Sequence, residues 1–395
     1  MACPGTILII MTAEEFKDIA PYANEEFPEN IEKLLHDPGF EHAIGYVLPG
    51  VNFSQLCDSL RTYSDKESFQ KEVMIPILKQ LEDGTTDGVT DSGIEDLDLS
   101  KSHLFISNHR DIVLDASFLG LAMIRKGIKA PEVALGDNLL IYDWIEHLVR
   151  LNKGVIVKRN LRLTKALEAA KHLSGYLHYC ITEKNESVWI AQREGRAKDS
   201  NDVTQESVIK MLALAGNAPD IASRLMELNI VPVAISYEFD PNDYLKASEF
   251  LAKERDPEFR KSQHDDLKSM ETGILKYKGR VHFSVCKEIN PGLEPLIGST
   301  DKAEVIHTAC ALIDKEIHHG YHLYPVNYYA FDRFEGTDRF SDHYTRKEAA
   351  EYAAYFDNQL NQVNLPDVTT EEREFMLRAM LGMYANPLRN QLNSL

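Results

Sequence analysis

Three clusters of polar side chains in this chain could do chemistry. The first is His109, with Asp111 and Asp115 within six residues of it, in Leu104-Phe105-Ile106-Ser107-Asn108-His109-Arg110-Asp111-Ile112-Val113-Leu114-Asp115. A histidine beside carboxylates is a general-base candidate. The second is Lys158-Arg159, after Gly154-Val155-Ile156-Val157. The third is Arg193, Gly195, Arg196 and Lys198 in Trp189-Ile190-Ala191-Gln192-Arg193-Glu194-Gly195-Arg196-Ala197-Lys198. Arginine forks bind phosphate bidentately, lysine adds a point charge, and a glycine lets the backbone approach a ligand. Together they suit a phosphorylated alcohol whose hydroxyl gives its proton to His109. The plainer reading is a polar cap turn with an incidental histidine, and solvated charges at loop ends.

These clusters need elements that bring them together. Short apolar runs ending in polar turns predict strands near Leu104–Ser107, Glu132–Leu135, Gly154–Val157, Val188–Gln192, Ile230–Tyr237 and Arg280–Cys286. Helical spacing falls between them, near Val113–Arg125, Leu139–Leu151, Leu161–Glu183, Thr204–Ala215 and Ala218–Leu228. Such alternation predicts an α/β fold: a mostly parallel central sheet flanked by helices, with helical additions at both ends. The expected division is a helical region over 1–89, a catalytic domain over 90–290 and a helical region over 291–395. Parallel strands end on one rim, where open sheets bind ligands. Pro232 suggests an edge position or a strand start, and Pro76 a kink or restart in a helix. The polar stretch Glu82 to Gly93 reads as a connection, and the charged stretch Asp240 to Lys276 as helical and superficial. Thr369 opens a capped helix expected to run through Met383.

Composition narrows the field. A net charge of −19 argues against general nucleic-acid binding. Yet between Arg150 and Ser200 there are eleven Lys/Arg against five Asp/Glu, a local basic field that suits a small anionic ligand. Five scattered cysteines, Cys3, Cys57, Cys180, Cys286 and Cys310, form no C-x-x-C pair, which reads as reduced thiols in a cytoplasmic protein. No run approaches the ~20 apolar residues of a membrane span. Thr6 to Met11 is too short and lacks a basic preceding region, so no signal peptide is expected. His307, His318, His319 and His322 form no H-E-x-x-H pattern and read as packing or surface histidines, with no metal expected.

In this order and spacing, the segments resemble the four blocks of the glycerolipid acyltransferase superfamily, which includes the glycerol-3-phosphate and 1-acylglycerol-3-phosphate acyltransferases. Asn108-His109-Arg110 with a following aspartate resembles its histidine, four residues, aspartate block. Gly154 to Arg159 resembles the second block, a hydrophobic strand closing in an arginine. Trp189 to Lys198 resembles the third, in the form found in soluble plastid glycerol-3-phosphate acyltransferases. Val231-Pro232-Val233-Ala234-Ile235-Ser236-Tyr237-Glu238 resembles the fourth, and Ala134 to Leu140 the segment between the first two. The resemblance covers roughly residues 90 to 290.

It implies that His109 deprotonates the acceptor hydroxyl, that Asp115 orients it, and that Arg159 and Arg196 bind the acceptor phosphate, with Lys198, Gly195 and Arg193 beside them. It also implies attack on an acyl thioester, acyl-CoA or acyl-carrier protein, with no protein nucleophile and no other cofactor. Five residues rather than four separate His109 from Asp115, so either a one-residue bulge restores Asp115 or Asp111 takes its place; Asp115 is favoured, since Asp111 lies near the helix start. Glu194 stands where the plastid type has glycine, so it must turn outward or pair with Arg193. The expected activity is acyl transfer to glycerol-3-phosphate in phospholipid synthesis, with 1-acylglycerol-3-phosphate the alternative acceptor. The expected place is the cytoplasm, with peripheral contact at the inner membrane face at most. Competing readings are a metal-dependent phosphoesterase using His109, Asp111 and Asp115, and an inactive lipid- or phosphate-binding module.

Overall fold

The computed structural model describes residues 12–394; Cys3 and the Thr6–Met11 run lie outside them. Seven strands form one sheet: β1 Val89–Ser92, β2 Leu104–Ser107, β3 Glu132–Gly136, β4 Gly154–Val157, β5 Val188–Ala191, β6 Ile230–Tyr237 and β7 Val281–Val285, in the order β1-β7-β6-β2-β5-β3-β4. The five strands from β6 to β4 are parallel to their neighbours; β7 runs antiparallel to β6, and β1 parallel to β7. Every residue of β2 and β6 is buried, as expected of strands covered by helices on both faces. One core layer joins Leu104, Ile106 and Ile190 to the helix Lys302–Gly320; the other joins Phe105, Val231 and Phe283 to the helix Leu114–Arg125.

Several expectations need correction. Pro232 sits in β6, an interior strand, not at an edge. Its carbonyl accepts from Cys286 N at 2.9 Å, so its missing N–H faces the β7 side. Val233↔Val285 is the last ladder pair, and beyond it Pro232 contributes its carbonyl alone, near the start of β6 where the pairing with β7 runs out. Within the stretch read as a connection lies β1, whose alternate residues are exposed; a polar edge strand offers no apolar run to detect. The helix Asp243–Arg255 is not superficial. Asp243, Tyr244, Lys246, Ala247, Glu249 and Leu251 are buried, because its charges are paired internally: Lys246 with Asp240, and Glu249 with Lys198, Lys253 and Lys261. At Pro76 a π-turn over Gln70–Met74 gives way to the helix Ile75–Thr85. The final helix, boxed by Thr369 and Glu372, runs on past Met383 to Ser394.

No helix among the described residues is long and apolar enough to cross a membrane.

Candidate active site

Strand β2 delivers the His109 turn to the middle of the rim. Asn108 pins that turn: fully buried, its amide donates to Ile235 O at 2.9 Å and accepts from Ile235 N at 2.7 Å, so its side chain continues the pairing with β6 where the β2 backbone leaves. Trp189 of β5 donates to Ser107 Oγ at 3.0 Å and sets its ring edge-on to His109, centroids 5.7 Å apart.

His109 Nδ1 lies 2.8 Å from Asp115 Oδ2. The same oxygen accepts from Arg110 N at 2.6 Å and Asp111 N at 3.0 Å. The extra residue of the turn is thus absorbed by wrapping backbone around a fully buried carboxylate. A carboxylate oxygen only accepts, so Nδ1 carries a proton and the neutral imidazole has its lone pair on Nε2; no described residue is bonded to Nε2. Asp111 does other work. Its Oδ1 accepts from Val113 N and Leu114 N at 2.9 and 2.8 Å, capping the helix Leu114–Arg125. Burial first, and the charge of Asp115 second, push the Asp111 carboxyl above the usual range.

Arg110 is spent structurally. It forms a two-pronged pair with Asp202, which also takes the Tyr321 hydroxyl on its carboxylate and His318 Nε2 on its carbonyl. His319 Nε2 meets Ser394 O, and the His322 ring packs on His282 and Tyr324.

The end of β5 brings cations to the strand beside His109. Arg193 Nε and Arg196 Nη1 are buried with no hydrogen-bond partner. A buried unpartnered cationic donor is costly unless something fills the space before it. Gly195 between them has φ +69°, a conformation that favours glycine, and nothing lies where its side chain would stand. Glu194 turns outward and approaches Arg159 Nη1 at 3.7 Å rather than Arg193. Arg159 follows β4, farther along the rim, and lies across Gly136: a Cβ there would stand 2.4 Å from Arg159 Nε. Lys198 does not join the group. Glu249 holds it in an ion pair, where burial draws its pKa down.

Other polar atoms along this rim are buried without partners: Tyr237 Oη, Asp111 Oδ2, Asp115 Oδ1, both amide atoms of Asn242 and both of Gln192. Burial first, then Asp115 and Asp111, raise the Tyr237 phenol well above its usual value. The helix Gln263–Leu275 closes over this cluster at Gly273, where a Cβ would stand 1.9 Å from Asp111 Oδ2. Only the polar ending of β6 at Tyr237-Glu238 hinted at it in the sequence.

On the other side of the turn opens an apolar cavity of about 1450 Å³. Ile112 and Val113, next to the dyad, line its mouth, and Ala116, Ser117, Gly120 and Ile124 continue along one face of the helix. Opposite stand Trp144 and Leu148, with Met74 and Tyr46 from the N-terminal helices and Met270 from the helix over Asp111.

Residues 88–236 match the family model described as Acyltransferase. The chain carries an acyltransferase domain. The His109–Asp115 turn and the ends of β2, β4 and β5 all lie within that match. The solved 1-acyl-sn-glycerophosphate (LPA) acyltransferase PlsC from Thermotoga maritima is similar over 74% of this chain and 95% of its own, at 13% identity and a TM-score of 0.33. No curated protein matches the chain. The acyltransferase domain ends at Tyr237's neighbour Ser236, so Asn242 and the Gln263–Leu275 helix complete the site from outside it.

Proposed function

We propose that this acyltransferase moves a fatty acyl group from an acyl thioester, acyl-CoA or acyl-carrier protein, to a hydroxyl of glycerol-3-phosphate. The observation that carries the reading is His109, with Nδ1 committed to Asp115, standing between an apolar cavity and a cluster of unpartnered cationic and polar atoms. The cavity fits an acyl chain. The polar side fits a small charged acceptor, with Arg193 and Arg196 toward its phosphate and Arg159 at the margin.

In this mechanism His109 Nε2 takes the proton from the acceptor hydroxyl as that oxygen attacks the thioester carbonyl. The C–O bond forms, the C–S bond breaks, and the departing thiolate takes the proton back from the imidazolium. Asp115 keeps the imidazole in the right tautomer and stabilises its charged form.

The test measures thiol release from palmitoyl-CoA and from palmitoyl-acyl-carrier protein, each with glycerol-3-phosphate, 1-acylglycerol-3-phosphate or neither, with the product identified by mass spectrometry. Release that depends on glycerol-3-phosphate and yields its monoacyl ester supports the reading. Dependence on 1-acylglycerol-3-phosphate alone overturns the acceptor, and release indifferent to both overturns acyl transfer in favour of hydrolysis.

A further inference from the structure

The helix Leu163–Tyr179 has two unlike halves. From Leu173 on it is buried, and Phe16 packs on its His172, Tyr176 and Tyr179 rings. Along its first turns and the loop before them, every residue from 160 to 168 is exposed. Leu163 is 92% exposed, more than any other large hydrophobic side chain among the described residues, and Leu167, one turn on, is 62% exposed. Being four apart, the two share a face. Leu161 joins them from the loop.

Charge gives a second, independent observation. Residues 158–171 hold five cations, Lys158, Arg159, Arg162, Lys165 and Lys171, and one acid, Glu168. Apart from Arg159, whose partner is Glu194, none of these cations is ion-paired among the described residues. A chain of net charge −19 therefore presents protruding leucines and unpaired cations at one place. That place follows β4, on the rim that carries His109.

We infer that this segment docks the protein on an anionic lipid bilayer, its leucines entering the interface and its cations meeting the headgroups. Apolar residues beside Lys/Arg on one helix are what an interfacial helix requires, and two weak signals together give stable anchoring where one does not. The protrusion of Leu163 and Leu167 favours lipid over protein: side chains standing this far out need a soft phase that closes around them, whereas a folded partner would need a matching socket. The inference rests on exposure and charge, not on the acyl-transfer reading, and its test involves no catalysis.

The experiment is flotation of the full chain with vesicles of phosphatidylcholine alone or phosphatidylcholine with phosphatidylglycerol. It compares wild type with Leu163→Ser/Leu167→Ser, with Arg162→Glu/Lys165→Glu, and with Phe375→Ser, an exposed position on the final helix. Thermal melting shows that each variant is folded. Wild type should float with anionic vesicles only and be released by high salt. Each double variant should lose binding by about tenfold or more, while Phe375→Ser keeps it. Wild type that ignores anionic vesicles, double variants that bind as well as wild type, or loss on Phe375→Ser would each overturn the assignment. So would unchanged vesicle binding with lost affinity for acyl-carrier protein, which would make the patch a dock for an acidic protein.

Discussion

Asp115 Oδ2 lies 2.8 Å from His109 Nδ1 although six positions separate them, and two backbone N–H groups of the intervening turn donate to the same oxygen. The carboxylate therefore fixes both the tautomer of the imidazole and the path of the chain that carries it. Asp111, nearer in sequence, spends one oxygen on the helix cap.

This division of labour separates two substitutions. Asp115→Asn should lower kcat by about a hundred- to ten-thousand-fold, because the imidazolium loses its charged partner. Asp111→Asn keeps the cap and should leave kcat close to wild type. Asp111→Ala should cost about 1 kcal/mol of stability through the lost cap. Steady-state kinetics and thermal melting of the three variants check the assignment; equal loss of kcat in Asp111→Asn and Asp115→Asn would contradict it.

The cations divide in the same way. Arg196 keeps a buried Nη1 without a partner, whereas Lys198 is held by Glu249. Arg196→Met should remove about 1.5–3 kcal/mol of acceptor binding, seen as a rise in acceptor KM with donor KM unchanged. Lys198→Met should leave acceptor KM unchanged. A rise in KM on Lys198→Met would return Lys198 to the site.

The cavity makes a claim about chain length. Gly120 lies seven residues beyond Val113 along the lining face, about 10 Å from the mouth at 1.5 Å per residue, and a Cβ there would stand 3.3 Å from the Ala130 methyl. Gly120→Val should therefore block the deeper half. The ratio of kcat/KM for a long to a short acyl thioester should fall, while acceptor KM stays constant. An unaltered ratio would mean that the acyl chain lies elsewhere.

A pH effect arises at Asp243, which the dyad does not contact. Burial first, and the Asp240 charge second, push the Asp243 carboxyl up to about 7, against the donors Tyr355, Tyr384 and Gln359 that face it. The folded chain thus binds this proton more tightly than the unfolded chain, whose aspartate titrates at about 4. Protonation favours the fold, so stability from this group is full below about 4 and is lost as pH rises to about 7. Asp243→Asn removes the titration. Its Tm relative to wild type should be higher at pH 8 than at pH 5, and a difference that does not move with pH would contradict the assignment.

The sequence made much of this site legible, for a physical reason. Strands buried on both faces are continuous apolar runs, and the functional turns follow directly where such runs stop, so His109, Arg159, Arg193 and Arg196 could be read together. The pairing of Lys198 with Glu249 is not legible locally, because Glu249 comes from a helix about fifty residues on whose charges read as superficial. Gln192 and Tyr237 sit inside the third and fourth blocks without standing out there, and Asn242 lies beyond them; they matter because the fold buries them without partners. The cavity is hidden from the sequence because its walls come from five separate stretches, 37–47, 70–78, 112–124, 130–154 and 264–275. Its one local trace is the small-residue face Ala116, Ser117 and Gly120 on an otherwise bulky helix.

The most direct test of the central claim is acceptor-dependent thiol release by His109→Ala beside wild type, with binding of the acyl thioester measured separately on both. Release should fall to background while thioester binding is unchanged, because His109 moves the proton and the cavity holds the chain. A His109→Ala enzyme that still transfers the acyl group at near wild-type rate would contradict that claim.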